Sequence, residues 1–203
     1  MMEFQLTTRD CERINESIRG KYAKVAKTPE GLFKYPTGRE GLEALMYDPE
    51  MIHILPDEVA SSYCGVGNPF ALGVLNKGEK VLDIGCGAGV DTILAAMMVG
   101  PTGSVTGIDV VPEMLSKARQ NLRVMALRNV EFKQTSGEEL PTTDKGFDIV
   151  ISNGVFNLII DKPGALVEAF RVLRSGGRFM IADQILVGQL PIEKKARIKN
   201  WFR

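Results

Sequence analysis

Five short apolar runs follow one another after residue 79, and the stretches between them repeat apolar residues every three or four positions. Residues 80–84, 104–108, 130–134, 147–152 and 178–185 are too short for helices and read as buried strands. Residues 90–99 carry Ile93, Leu94 and Met97 at helical spacing, and Gly100 and Pro101 stop them. Residues 112–127 open with proline in the first turn and place Met114, Leu115, Ala118 and Leu122 inside. Residues 164–173 form a further helix, ended by Ser175, Gly176 and Gly177. Residues 191–201 start another, whose Lys194, Lys195, Arg197 and Lys199 read as a solvated face. Strand and helix alternate, which predicts an α/β fold: a doubly wound, mostly parallel, Rossmann-like sheet with right-handed crossovers.

Upstream the pattern changes. Ile14, Ile18, Tyr22 and Val25 make an amphipathic stripe across residues 11–27, consistent with a helix packed on the core or with a lid over a site. Residues 28–56 are rich in Pro and Gly, yet Leu32, Phe33, Tyr35, Leu42, Leu45 and Met46 make them too apolar for a linker. Short helical pieces such as 41–47 are expected to pack there. Residues 57–63 read as a short helix, followed by a turn with Gly65, Gly67 and Asn68-Pro69. Those glycines fit either a tight turn or a close approach to a ligand. Two regions are expected: a helical, irregular extension at 1–75 that covers the site, and a nucleotide-binding domain at 76–203.

Composition narrows the class. The 203 residues allow a proper core, and a formal net charge of zero gives no electrostatic case for nucleic acid or an acidic membrane surface. No apolar run reaches membrane-spanning length, and residues 1–20 are too polar for a secretory signal. Cys11, Cys64 and Cys86 make no disulfide framework, so a reducing cytoplasm is the expected compartment. His53, the sole histidine, has no Cys, His or acid at ligand spacing, and no metal site is expected.

The chemistry concentrates in residues 79–109. A strand carries Asp83, then Gly85, Gly87 and Gly89 follow, then a helix, then a second strand ending at Asp109: a nucleotide-binding βαβ unit. A direct strand-to-helix turn needs positive φ, and a ligand lying on the backbone leaves no room for Cβ. The acid after the second strand suits both hydroxyls of a ribose. Val90 stands where a dinucleotide fingerprint has its third glycine, and Asp83 would repel a pyrophosphate but attract an α-ammonium. The frame favours S-adenosylmethionine over a nicotinamide dinucleotide.

The Val81-Leu82-Asp83-Ile84-Gly85-Cys86-Gly87-Ala88-Gly89 run, Asp109, the turn of Glu138, Leu140 and Pro141, Phe147-Asp148-Ile149-Val150, and Arg171-Val172-Leu173 with Gly176-Gly177 resemble the class I S-adenosylmethionine-dependent methyltransferases. That likeness covers residues 77–186. Residues 62–69, Val99-Gly100-Pro101 with Gly103, Pro112-Glu113-Met114-Leu115, and residues 151–158 are similar to the arsenite methyltransferase branch. The resemblance implies that Asp83, Gly85, Gly87 and Gly89 hold the methionine part of the cofactor and Asp109 its ribose. Val110 and Met114 would flank the adenine, with Ser136 and Gly137 near its exocyclic amine. Asn153 would contact the methionine end, and the turn 65–69, Asn68 included, would cover the sulfonium.

Two departures accompany the likeness. The arsenite-type pattern has one Cys two residues before Asn-Pro and another after the Ser-Asn of the fourth strand, soft thiolates that suit trivalent arsenic. Here those positions are Val66 and Gly154, while Cys64 stands elsewhere and Cys86 reads as a small loop filler. The class I pattern also continues past the fifth strand with a helix and two more strands, whereas this sequence reaches Arg203 part-way along such a helix. A fragment or a shortened protein is expected, its open sheet edge covered by a homodimer partner or by a missing C-terminal segment.

The expected reaction is in-line transfer of the cofactor's methyl to a nucleophile on a small molecule, the protein orienting both and excluding water. No general base is visible in any motif. Tyr22, Tyr35 and Tyr63 are candidates for the acceptor pocket, which would suit a thiol, an amine or an activated carbon. The competing readings are a binding-only paralogue that senses the cofactor, an arsenite methyltransferase using other thiols, and a nicotinamide-dependent oxidoreductase.

Overall fold

The computed structural model describes residues 6–140, 142, 144–185, 187, 188, 193, 196, 198 and 201. The basic side chains expected on a last helix, Lys194, Lys195, Arg197 and Lys199, lie outside the described residues. Among the described residues four helices precede the sheet: α1 (Thr8–Val25), α2 (Gly38–Ala44), α3 (Pro49–Ile54) and α4 (Asp57–Ala60), followed by a 3-10 turn at Pro69–Leu72. Then come β1 (Lys80–Ile84), α5 (Val90–Val99), β2 (Ser104–Asp109), α6 (Pro112–Met125) and β3 (Val130–Gln134). β4 (Phe147–Asn153), α7 (Lys162–Val172) and β5 (Leu173–Ala182) complete the series.

The strands form one sheet in the order β3-β2-β1-β4-β5, every neighbouring pair parallel. On one face Val81, Val105, Ile149 and Ile151 pack against Ala95, Ala96 and Val99 of α5. On the other, Leu82, Ile84 and Val150 pack against Ala165, Ala169 and Val172 of α7. Successive side chains thus find a helix on either side, which is why the central strands read as unbroken apolar runs. Strand order reverses between β1 and β4. The crevice outside the carboxyl ends of strands at such a reversal is where open α/β sheets take their ligands.

Two elements differ from their sequence pattern for identifiable reasons. α5 was expected to bury one stripe; instead Val90 to Ala96 and Val99 are all buried. Its outer side is covered by Leu42 of α2, Val59 of α4, and Tyr47, Leu55 and Tyr63 of the segments that follow α2, α3 and α4, which share a core with Val90, Ile93 and Leu94. A helix apolar on all sides is a helix covered on all sides. β5 begins at Leu173 and ends at Ala182, against the expected 178–185. Leu173 pairs with Phe147 and Arg178 with Ile149, so the Ser175-Gly176-Gly177 stretch is an irregularity within the strand rather than a stop before it. Ile185, read as strand, is 85% exposed.

α1 starts with a reciprocal cap: the Asp10 amide donates to the Thr7 hydroxyl, and the Thr7 amide donates to the Asp10 carboxylate at 2.9 Å. Its Ile14, Ile18 and Val25 are buried. Among the described residues no helix is long and apolar enough to cross a membrane.

Candidate active site

The segments that follow β1, β2, β3 and β4 wall one cavity at the carboxyl end of the sheet, and α1 adds Asn15, Ile18, Arg19 and Tyr22. Nine of the residues expected at a cofactor site line it: Asp83, Gly85, Gly87, Asp109, Val110, Met114, Ser136, Gly137 and Asn153. Gly89 and Asn68 stand apart from the wall. Gly89 caps the start of α5, and a Cβ there would press on Phe132 and Ala118. Asn68 accepts from the Phe70 amide at 3.0 Å, capping the 3-10 turn, and donates to the Met46 carbonyl at 3.0 Å. Of the turn 65–69, Gly65 reaches the wall.

Gly85 and Gly87 have φ of 72° and 53°, in the left-handed region that glycine enters freely. They serve different ends. A Cβ on Gly85 would overlap Val155, so this glycine lets the segment after β4 close on the turn. A Cβ on Gly87 would meet only Met114 Cε, at 3.6 Å, and would otherwise project into open space. Asp109 fixes the turn from the next strand, accepting from the Gly87 amide at 2.9 Å and the Val111 amide at 2.8 Å. Each of its oxygens keeps a second acceptor site for a hydroxyl. Burial holds its pKa above the usual carboxylate range.

Asp83 is 2% exposed and accepts from Thr92 Oγ1 at 2.6 Å. Burial, with the charge of Asp91 next in weight, pushes its pKa up to about 8. The ion pairs of the described residues include none to Asp83, Asp91 or Asp109. Buried carboxylates without a protein cation are costly unless something else supplies the charge. A ligand bearing an ammonium and a ribose answers both Asp83 and Asp109, and the donor set fits S-adenosylmethionine.

The side chain of Asn153 does more than line the cavity. Its Oδ1 accepts from the Val66 amide at 2.9 Å and the Gly67 amide at 3.1 Å. Its Nδ2 donates to the Gly67 carbonyl at 2.8 Å and to Asp91 Oδ2 at 2.9 Å. Tyr47 Oη lies 2.8 Å from Asp91 Oδ1, and Tyr63 Oη 2.9 Å from the Gly67 carbonyl. A Cβ on Gly65 would overlap the Asn153 amide and the Tyr63 phenol. The turn is therefore tight, and Gly65 brings it to the cavity wall. Likewise α1 packs on the core through Ile14 and walls the cavity through Tyr22.

Nothing in the sequence singles out Asp91 and Tyr47. Asp91 sits in the first turn of α5, where an acid is ordinary, and Tyr47 is 44 residues away. No local pattern links them. Of the tyrosines proposed for the acceptor pocket, Tyr22 and Tyr63 line the cavity, while Tyr35 donates to the Cys64 carbonyl at 3.2 Å. Cys64 and Cys86 both line the cavity. Burial raises both thiols, that of Cys64 to about 12, which leaves little thiolate at neutral pH. Val66 and Gly154 are neighbours: a Cβ on Gly154 would lie 3.2 Å from the Val66 methyls.

A family profile described as a methyltransferase domain matches residues 75–203. The chain belongs to the class I S-adenosylmethionine-dependent methyltransferases. Within them it falls in the arsenite methyltransferase-like branch. The arsenite methyltransferase of Halobacterium salinarum is 37% identical over 203 residues, an alignment that covers 93% of this chain and 52% of that protein. An arsenic(III) S-adenosylmethionine methyltransferase from Chlamydomonas reinhardtii superposes with a TM-score of 0.60 at 36% identity, covering 73% of this chain and 50% of that one. A methyltransferase from Aquifex aeolicus gives a TM-score of 0.54 at 25% identity, covering 78% and 81%. This methyltransferase-family chain spans about half the length of the arsenite methyltransferases it matches.

Proposed function

We propose that the chain binds S-adenosylmethionine in this cavity and transfers its methyl group to a small-molecule nucleophile, in the cytoplasm. The observation that carries the reading is the glycine turn held between the buried Asp83 and the half-buried Asp109, neither of which has an ion-pair partner among the described residues. When bound, the cofactor supplies a methyl already activated by its sulfonium. Asp83 and the Gly85–Gly87 backbone hold the methionine end, and Asp109 accepts from the ribose. Val110 and Met114 flank the base, with Ser136 and Gly137 at its edge. Asn153 acts through the turn it fixes, and Gly65, which lines the cavity where Asn68 does not, would be the part of that turn to meet the ligand.

Ile18, Val155, Leu158, Ile159 and Ile160 give the wall an apolar part that excludes water and suits an acceptor with an apolar body. Among the acids of the described wall, both oxygens of Asp91 are engaged, Asp83 is held by Thr92, and one oxygen of Glu138 accepts from the Asp161 amide at 2.9 Å, so none is left clear of the protein's own hydrogen bonds. The acceptor is thus a good nucleophile in its own right. Its relatives are named for arsenite, but the two thiol positions of that branch are here Val66 against Gly154, a pair that offers trivalent arsenic no soft ligand. The test is formation of S-adenosylhomocysteine with panels of thiols, amines and arsenite. Turnover of an organic nucleophile with none of arsenite is expected. Preferential turnover of arsenite contradicts the acceptor assignment, and tight binding without any turnover favours a cofactor sensor.

A further inference from the structure

Asp91 is an acid of the cavity wall to which the glycine motif gives no task. It is 8% exposed, and its charge reaches Asp83, on whose proton affinity it ranks second only to burial. Its two hydrogen-bond donors, Tyr47 and Asn153, are both neutral. Hydrogen bonds from neutral groups stabilise a carboxylate without cancelling its charge. Asp83 is in the same position, its donor being the Thr92 hydroxyl. Two buried carboxylates therefore share one wall, and neither has a counter-ion among the described ion pairs.

We propose that Asp91 determines cofactor specificity by charge: with Asp83 it forms a negative wall that favours the sulfonium of S-adenosylmethionine over the neutral thioether of S-adenosylhomocysteine. The inference rests on the cofactor reading above. Its second consequence is a proton exchange. Before the ligand binds, the two carboxyls hold a proton between them, which lessens the cost of burying both charges; the arriving cation takes over that role, and the proton leaves a carboxyl oxygen for the buffer. Charge is conserved at the wall, one proton out for one positive centre in. The pKa values support this, burial raising Asp91 to about 6 and Asp83 to about 8. The other titratable groups facing Asp83 are Asp109 and Cys86, and those facing Asp91 are Tyr47, Tyr63 and Cys64. Arg19 is the basic side chain of the described wall, and it is exposed.

The test is calorimetric titration at pH 7 with S-adenosylmethionine and with S-adenosylhomocysteine, each in two buffers of different ionisation heat. Wild type is expected to release more protons with the sulfonium ligand and to bind it more tightly. Asp91→Asn keeps the shape and removes the charge, and the ratio of the two affinities should fall about tenfold, as for a unit charge several ångströms away in a partly screened interior. Proton release should shrink too, because Asp91 no longer contributes a proton and Asp83, still held up by burial but freed of its neighbour's charge, is ionised more often beforehand. Tyr47→Phe removes a hydrogen bond and keeps the charge, so it should weaken both ligands alike. The proposal is overturned if Asp91→Asn weakens both ligands equally, if Tyr47→Phe shifts the ratio as far as Asp91→Asn does, or if wild type shows no buffer-dependent heat. A folded wild type that binds neither ligand overturns the cofactor reading and this inference with it. Binding without discrimination overturns this inference alone.

Discussion

Gly85 and Gly87 sit two residues apart with the same sign of φ, yet their substitution should have opposite consequences. Alanine at Gly85 combines left-handed strain with overlap on Val155, and should cost roughly 2–4 kcal/mol in urea denaturation. Alanine at Gly87 meets only a flexible methionine end and should cost about 1 kcal/mol, while its methyl intrudes where the ligand lies and weakens cofactor binding. Equal losses of stability would refute the division of labour between the two. At this scale the motif was legible because its residues are consecutive. Gly85, Gly87, Asp83 and Asp109 were named from spacing alone, and all four line the cavity. Gly89 belongs to the same run but packs on Phe132, a contact made across the sheet that spacing does not reveal.

Asn153 is the residue by which β4 reaches the preceding helices. It takes hold of the turn after α4 through both amides of Val66 and Gly67. Asn153→Ala leaves those two amides and the Asp91 carboxylate short of partners, and should cost about 2–3 kcal/mol of stability. It should also loosen the turn, so limited proteolysis between α4 and β1 is expected to quicken; an unchanged cleavage rate would mean the turn is held by Tyr47 and Tyr63 alone. Element positions were largely readable: β1, β3 and α5 match their patterns residue for residue. β5 was misplaced because a glycine pair reads as punctuation, whereas pairing with β4 resumes on either side of it. α5 was under-read because its second apolar side faces helices more than 25 residues earlier in the chain.

For the whole molecule, the acids in the cavity tie stability to pH. Asp83 and Asp91 have pKa values raised to about 8 and about 6, so between roughly pH 4 and 8 the folded chain holds protons that the unfolded chain has lost. Their contribution to stability is full below the unfolded value and disappears as pH rises through 6 and then 8. The ligand-free protein should have a lower urea midpoint at pH 8.5 than at pH 6, and the stabilisation given by S-adenosylmethionine should grow over that interval. A midpoint that stays level or rises with pH would contradict the protonation of the pair in the folded chain. The fold class was legible in the alternation of strands and helices, since both faces of a parallel sheet demand apolar runs. That α1 serves core and cavity together was not, because one amphipathic stripe does not say what each end of it touches.

The most direct test of the account is calorimetric titration of S-adenosylmethionine into wild type and Asp109→Ala. Asp109 pins Gly87 and is placed to accept from the ribose, so micromolar binding by wild type should weaken at least a hundredfold in the variant, about 3 kcal/mol for a charged acceptor removed from a buried site. Circular dichroism should show both proteins folded. Undiminished binding by a folded Asp109→Ala, or none by wild type, would contradict the assignment of this cavity to the cofactor.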